Sequence, residues 1–188
     1  SGDLGNRQFR RGAGFDELQR TAVGISAEFM KGSFEPVELG VPTVREFIHD
    51  VDYDNRQYFA RYKELLEKAQ QTLANDSSTA TKKKLARTEA RRLSEKLEIA
   101  HVRFPIVMRV IDFGGIVFVT FPGELCSVLG MRIKSMFLPR LCIVIGYAND
   151  AQGYFVPGED FGLGYESFVT KLPRGGIESV LDEFEEWL

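Results

Sequence analysis

Over residues 15–30 the apolar side chains Phe15, Leu18, Ala22, Ile25, Phe29 and Met30 recur at steps of three and four, which predicts a helix laying one face against a core. Gly32 is its natural stop. Residues 35–43 carry two prolines and alternate Val37, Leu39 and Val41, so a short edge strand is expected there. Residues 54–100 change texture. They are rich in Lys, Arg, Glu, Gln and Ala, with Leu65, Leu66, Leu73, Leu85, Leu93 and Leu97 spaced along them and an Asn75-Asp76-Ser77-Ser78 break in the middle. That pattern predicts two helices joined by a turn, a charged helical hairpin on the outside of the fold.

After Ala100 the period becomes that of strands. Residues 102–110 and 116–121 are dense in Val, Ile and Phe, and Asp112-Phe113-Gly114-Gly115 between them has the residues of a hairpin turn. Pro122-Gly123 ends the second strand, residues 124–136 have helical spacing with Leu125, Val128, Leu129, Ile133 and Met136 inward, and residues 141–147 read as a buried strand. A last helix is expected over 177–188. Strand, turn, strand, glycine turn, helix and strand in this order imply an α+β fold, a layered mixed sheet with packed helices and the charged hairpin outside it. A single domain over residues 1–188 is expected. The strands over 102–121 and 141–147 are apolar enough to need cover on both faces, so a partner segment is expected as well.

Composition narrows the function classes. The chain has 188 residues, 44% of them hydrophobic and 27% charged, enough for a sizeable core, and its net charge of -3 gives no global field toward nucleic acid or an anionic membrane. The basic run Lys82-Lys83-Lys84 with Arg87, Arg91 and Arg92 could present phosphate-binding charge, but Glu89, Glu95 and Glu98 interrupt it and no aromatic or glycine-rich element is interleaved, so a solvated helix face is preferred and nucleic acid is not expected as a partner. Cys126 and Cys142 form no Cys-x-x-Cys pair and read as small core residues. The longest apolar stretch, 114–131, is broken by Thr120, Pro122, Glu124 and Ser127, so no membrane span is expected. The start lacks a basic segment followed by an apolar one, and it reads as a chain that begins inside a longer one.

The chemistry-bearing residues cluster late in the chain. Phe121-Pro122-Gly123-Glu124 sets a carboxylate at a strand-to-helix junction, where it is either a functional group or a helix N-terminal residue favoured by the macrodipole. The loop after the next strand, Gly146-Tyr147-Ala148-Asn149-Asp150-Ala151-Gln152-Gly153-Tyr154, packs polar and aromatic groups between glycines and is followed by Pro157 and by Gly162-Leu163-Gly164-Tyr165-Glu166. Such a loop suggests a site, with an ordinary turn of packed tyrosines as the plainer alternative.

The succession F-P-G-E-L, G-Y-A-N-D-A-Q-G-Y-F-V-P and G-Y-E resembles the neutral/alkaline, non-lysosomal ceramidase family, specifically over 116–166 and weakly over 33–100. Gly2-Asp3 looks like the family's Gly-Asp segment. The resemblance implies a zinc-dependent amidohydrolase that cleaves the N-acyl amide of ceramide or a related N-acyl lipid to a fatty acid and an amine. It implies Glu124 and Tyr154 as zinc ligands, Tyr165 as the catalytic phenol that steadies the carbonyl or oxyanion, and Asp3, Asn149 and Tyr165 as substrate-binding residues. Carboxylate oxygen suits zinc at roughly 2.0–2.2 Å, and a phenol near a cation gives up its proton more readily. An extracytoplasmic location is implied, and peripheral membrane contact is left open.

Two departures accompany the resemblance. The family's two zinc histidines lie in its N-terminal half, whereas His49 and His101, the chain's two histidines, have no metal-binding spacing. The chain therefore looks like the C-terminal half of a catalytic domain, with an upstream N-terminal half of the same protein as the partner that supplies the histidines. Gly5 and Asn6 stand where the family has Ser or Asn followed by Pro, so the hydroxyl that meets substrate is absent at that position. A non-catalytic binding or scaffold module derived from the same fold is the alternative.

Overall fold

The computed structural model describes residues 14–32, 36–162 and 164–188. It is an α+β fold. A four-stranded mixed sheet runs in the order β1-β2-β3-β5, from β1 (Leu39–Asp54), β2 (His101–Gly114), β3 (Ile116–Thr120) and β5 (Leu141–Ile145). The antiparallel β2–β3 pair turns through Gly114 at φ +83°, where Asp112 Oδ1 accepts from the Gly114 amide at 2.8 Å. β5 returns parallel to β3, and α4 (Ser127–Ser135) lies in the connection between them.

β1 is far longer than the expected edge strand over 35–43. Its continuous register with β2 extends from Thr43 opposite Asp112 to Asp54 opposite His101. The second half escapes a period-two reading because Arg45, Glu46, His49, Asp50, Asp52 and Asp54 are charged or polar; only Phe47 and Val51 are buried. The ion pair of Arg103 and Asp52, at 2.5 Å, ties β2 to β1 across this exposed stretch.

The core lies on one face of the sheet. Phe47, Ile106, Met108, Val110, Val117 and Val119 point into it and meet Leu129 and Ile133 of α4 and Ile177, Val180, Leu181 and Phe184 of α6 (Gly176–Trp187). Phe184 sits edge-on to Phe47 at 5.3 Å between ring centroids and stacks on Trp187 at 5.8 Å. Arg45 closes the helix end, its guanidinium 4.1 Å from the Trp187 ring centroid and donating to the carbonyls of Trp187 and Leu188 at 2.8 and 3.0 Å. The opposite face is different: Val44, Ile48, Leu141, Ile143 and Ile145 are exposed on it, so β5 is a half-exposed edge and not the fully buried strand its composition suggests.

The charged hairpin is present as α2 (Phe59–Ala74) and α3 (Ala80–Glu98). Asn75 opens its turn by accepting from the Ser77 amide at 2.9 Å, and Thr79 caps α3 by accepting from the Lys82 amide at 3.3 Å. Ala69, Ala86 and Leu93 are the buried contacts of this pair. Its base is fastened by Asn55, which donates through Nδ2 to the carbonyls of Lys96 and Ile99 at 2.8 and 2.7 Å. In α1 (Phe15–Lys31) the predicted helix is found, but none of its residues is buried among the described residues, so its apolar stripe does not meet the core the spacing implies. No helix among the described residues is long and apolar enough to cross a membrane.

Phe184 is wholly buried at the centre of the α6–sheet contact. Phe184→Ala should lower unfolding stability by about 3–5 kcal/mol, read from the urea midpoint at unchanged slope; a loss under about 1 kcal/mol would show that α6 does not anchor the sheet.

Candidate functional site

The site is built where β3 ends. Past Thr120 the chain crosses over the loop that follows β5, and a dense set of backbone hydrogen bonds joins the two segments: Phe121 N to Ile145 O, Tyr147 N to Gly123 O, Ala148 N to Phe121 O and Gln152 N to Pro122 O, all at 2.8–3.1 Å. A second, two-stranded sheet follows, β4 (Glu124–Leu125) and β6 (Tyr154–Phe155) in parallel. Strands of two residues carry no readable period, which is why both escape prediction.

Gly123 makes this pairing feasible. A Cβ there would lie 2.5 Å from Gly153 O and 2.6 Å from a Phe155 ring carbon. Without one, the Glu124 amide reaches Gly153 O at 2.8 Å and Phe121 packs edge-on to Phe155 at 4.7 Å.

Glu124 therefore belongs to a strand and not to the first turn of a helix; α4 starts after Cys126. In register, Glu124 stands opposite Tyr154. Adjacent parallel strands lie about 4.8 Å apart, so the carboxylate and the phenol leave neighbouring backbone positions side by side. The Tyr165 ring, at the start of α5 (Tyr165–Val169), meets Tyr154 edge-on at 6.0 Å. These three residues, picked from the sequence, are brought together and are all half-buried.

Asn149, five positions before Tyr154, is held against β2 and β3. It sits at φ +75°, its Oδ1 accepts from Arg109 Nη1 at 2.7 Å, and its Nδ2 donates to Thr120 Oγ1 at 2.9 Å. Arg109 in turn donates to Glu46 at 2.7 Å. The Asn149 amide is thus engaged with β2 and β3, with one N–H left for anything else. Asp3, the remaining expected contact, lies outside the described residues, as do Gly5 and Asn6.

Tyr147 was not singled out from the sequence. It adopts φ +54°, and its Oη donates to Glu124 Oε2 at 3.0 Å, fixing the carboxylate. A bulky residue held at positive φ is a strained placement, and sequence shows it only as one aromatic in a glycine-bounded loop. Burial and this bond hold the Tyr147 phenol above its ordinary value. Gln152, also passed over, is buried and clamps the loop by donating to Pro105 O at 2.7 Å.

The local field is negative. Burial, followed by Asp160, Glu166 and Glu124, pushes the Cys126 thiol up to about 11. A cation would be favoured among these carboxylates, and a carboxylate beside a phenol is a donor set that zinc accepts. Two such donors are fewer than the three protein ligands of a catalytic zinc site. His49 pairs with Glu183 of α6 at 2.7 Å and His101 with Asp52 of β1 at 2.5 Å. No group of three or more His, Cys, Asp or Glu side chains placed to hold a metal occurs among the described residues.

No family model matches this sequence, and no curated protein matches it. Among solved structures it is similar to neutral ceramidase from Pseudomonas aeruginosa, at 22% identity and a TM-score of 0.39 over 45% of this chain. The chain spans 14% of that structure's length.

Two outcomes check this geometry. Gly123→Ala should cost about 1–3 kcal/mol, because a methyl group must displace a carbonyl and a ring, and should abolish near-ultraviolet tyrosine dichroism from the β4–β6 region; wild-type stability and dichroism would refute the close approach. With its folded value raised from about 9 to about 11, the Cys126 thiol stays protonated longer in the native state, so its stabilising contribution is present below pH ~9 and is lost as pH rises toward ~11. Iodoacetamide at pH 8.5 should accordingly label Cys126 about 100-fold more slowly in the folded than in the urea-unfolded chain, by mass spectrometry; equal rates would mean an ordinary, exposed thiol.

Proposed function

We propose that this chain is the C-terminal half of the catalytic part of a zinc-dependent amidohydrolase of the neutral ceramidase type, acting on the N-acyl amide of ceramide or a related N-acyl lipid. The observation that carries the reading is the register of Glu124 opposite Tyr154, with Tyr165 against Tyr154: three residues the family motifs single out, separated by up to 41 positions, converge. Glu124 and Tyr154 would hold the metal, which supplies Lewis-acid polarisation of an amide carbonyl when bound. Tyr147 keeps the Glu124 carboxylate oriented by donating to Oε2, as outer partners of metal ligands do. Tyr165 would donate from its hydroxyl to the oxygen on which charge develops as the amide is attacked. Asn149 holds its loop to β2 and β3 and can offer substrate its remaining N–H. The histidine ligands would come from an upstream segment of the same protein, because His49 and His101 are engaged with carboxylates of β1 and α6.

That engagement of both histidines also favours a second reading, a metal-free binding or scaffold module of the same descent. Elemental analysis separates the two. In the protein that includes the upstream segment, one zinc per chain and ceramide hydrolysis are expected, and Glu124→Gln should lose both together. Full activity in the Glu124→Gln protein would defeat the amidase assignment, and absence of zinc from the wild-type protein would leave the scaffold reading standing.

A further inference from the structure

Away from β4 and β6, the second half of α3, the start of β2 and the end of α5 enclose a cavity of about 380 Å³, within the roughly 300–1,000 Å³ typical of small-molecule sites. Its walls are apolar and aromatic: Tyr53, Ile99, Val102, Phe104 and Phe168. Its charges are lopsided. Arg92, Lys96, Arg103 and Lys171 line it with Glu95 as the one acid of the lining, on a chain whose net charge is -3.

The cations differ in how far they are satisfied. Arg103 is neutralised by Asp52, outside the lining, and the Lys171 ammonium lies 5.3 Å from the Phe104 ring centroid. Arg92 gives Nη1 to Glu95 at 2.8 Å, yet its Nε is buried with no hydrogen-bond partner among the described residues. Thr170, 1% exposed, has a buried Oγ1 in the same condition. Between them the Lys96 ammonium donates to Thr170 O at 2.8 Å, and burial together with Arg92 holds it down to about 8. Glu95 is thus the single acid beside four cations in this lining, and the Lys96 ammonium meets a neutral carbonyl and, among the described residues, no carboxylate. Positive charge in excess of the carboxylates that line a partly desolvated cavity favours an anion as its occupant.

We propose that this cavity binds an amphiphilic organic anion, with a carboxylate or phosphate head held by Arg92 and Lys96 beside Thr170 and a short apolar stem lying along Ile99, Val102, Phe104 and Phe168. A planar guanidinium and an ammonium suit either head, and charge-assisted bonds in a half-enclosed apolar cavity are stronger than on open surface. An alcohol of the same chain length would fill the walls but bring no negative charge to Lys96, leaving Glu95 as the cavity's one anion. A free inorganic anion would do the reverse. The proposal does not depend on zinc or on amide hydrolysis.

Calorimetric titration of the 188-residue chain with octyl phosphate and with octanoate, against octanol, octyltrimethylammonium and inorganic phosphate, tests it. One saturable site is expected for at least one of the two amphiphilic anions, at least about tenfold tighter than for octanol or for phosphate alone. The tighter head assigns the class, carboxylate or phosphate. Arg92→Leu should weaken that binding by about tenfold or more at unchanged melting temperature. In case that variant does not fold, amide shift changes in the wild-type chain on adding the anion must fall on residues 92–104 and 168–171. Equal affinity for octanol, no saturation by either anion at about 1 mM, unchanged binding in Arg92→Leu, or shift changes lying elsewhere would each overturn the proposal.

Discussion

One backbone contact governs the geometry of the carboxylate and the tyrosines. The Gly123 carbonyl and amide neighbours run so close to Gly153 and the Phe155 ring that no side chain fits between them. Because they do, the chain after β3 and the chain after β5, already adjacent through the parallel pairing of their strands, continue as a second small ladder. The pairing of Glu124 with Tyr154 depends on that continuation. Glu124 and Tyr154 are each the first residue of a two-residue strand, and neither strand would be stable alone; they are held by the rigid sheet behind them and by Gln152 fastened to Pro105. A site carried on loop ends but anchored to a sheet with one packed face gains precision without burying the functional groups.

The sheet itself is one-sided. Helices α4 and α6 cover the face that carries Phe47, Met108 and Val119, while the other face shows Ile48, Ile143 and Ile145 to solvent beside the polar ladder of Glu46, Arg109, Thr120 and Asn149. The polar ladder and the apolar edge meet near the loop that carries Asn149.

Much of this was legible beforehand, for reasons that differ by element. The charged hairpin, β2, β3 and α6 were readable because long runs of one period, or one texture, leave little choice of structure. The second half of β1 was not, since charges occupy its open face and leave Phe47 and Val51 as its buried pair. The stripe of α1 predicted the helix correctly and its burial incorrectly: periodicity reports that a face is apolar, not that a partner is present. For the site, motif order named Glu124, Tyr154 and Tyr165, and the fold brought them together. It gave no warning of Tyr147, whose role rests on a backbone angle, nor of the cavity, whose residues come from α3, β2 and α5 and share no motif.

Asp54 and His101 are opposite one another in the β1–β2 register, so the stretch from 55 to 100 leaves and re-enters the sheet at the same place. Closing a loop costs little more as it lengthens, about 0.6 kcal/mol for each doubling, and nothing in the sheet register requires a helical hairpin there. The length of the hairpin can therefore change while Glu124 and Tyr154 stay in register. The cavity has no such independence, because Arg92 and Lys96 ride on α3. A chain with the hairpin trimmed would keep Glu124 opposite Tyr154 and lose the cationic cavity in a single deletion, together with the bond that Lys96 of α3 makes to the Thr170 carbonyl at the end of α5.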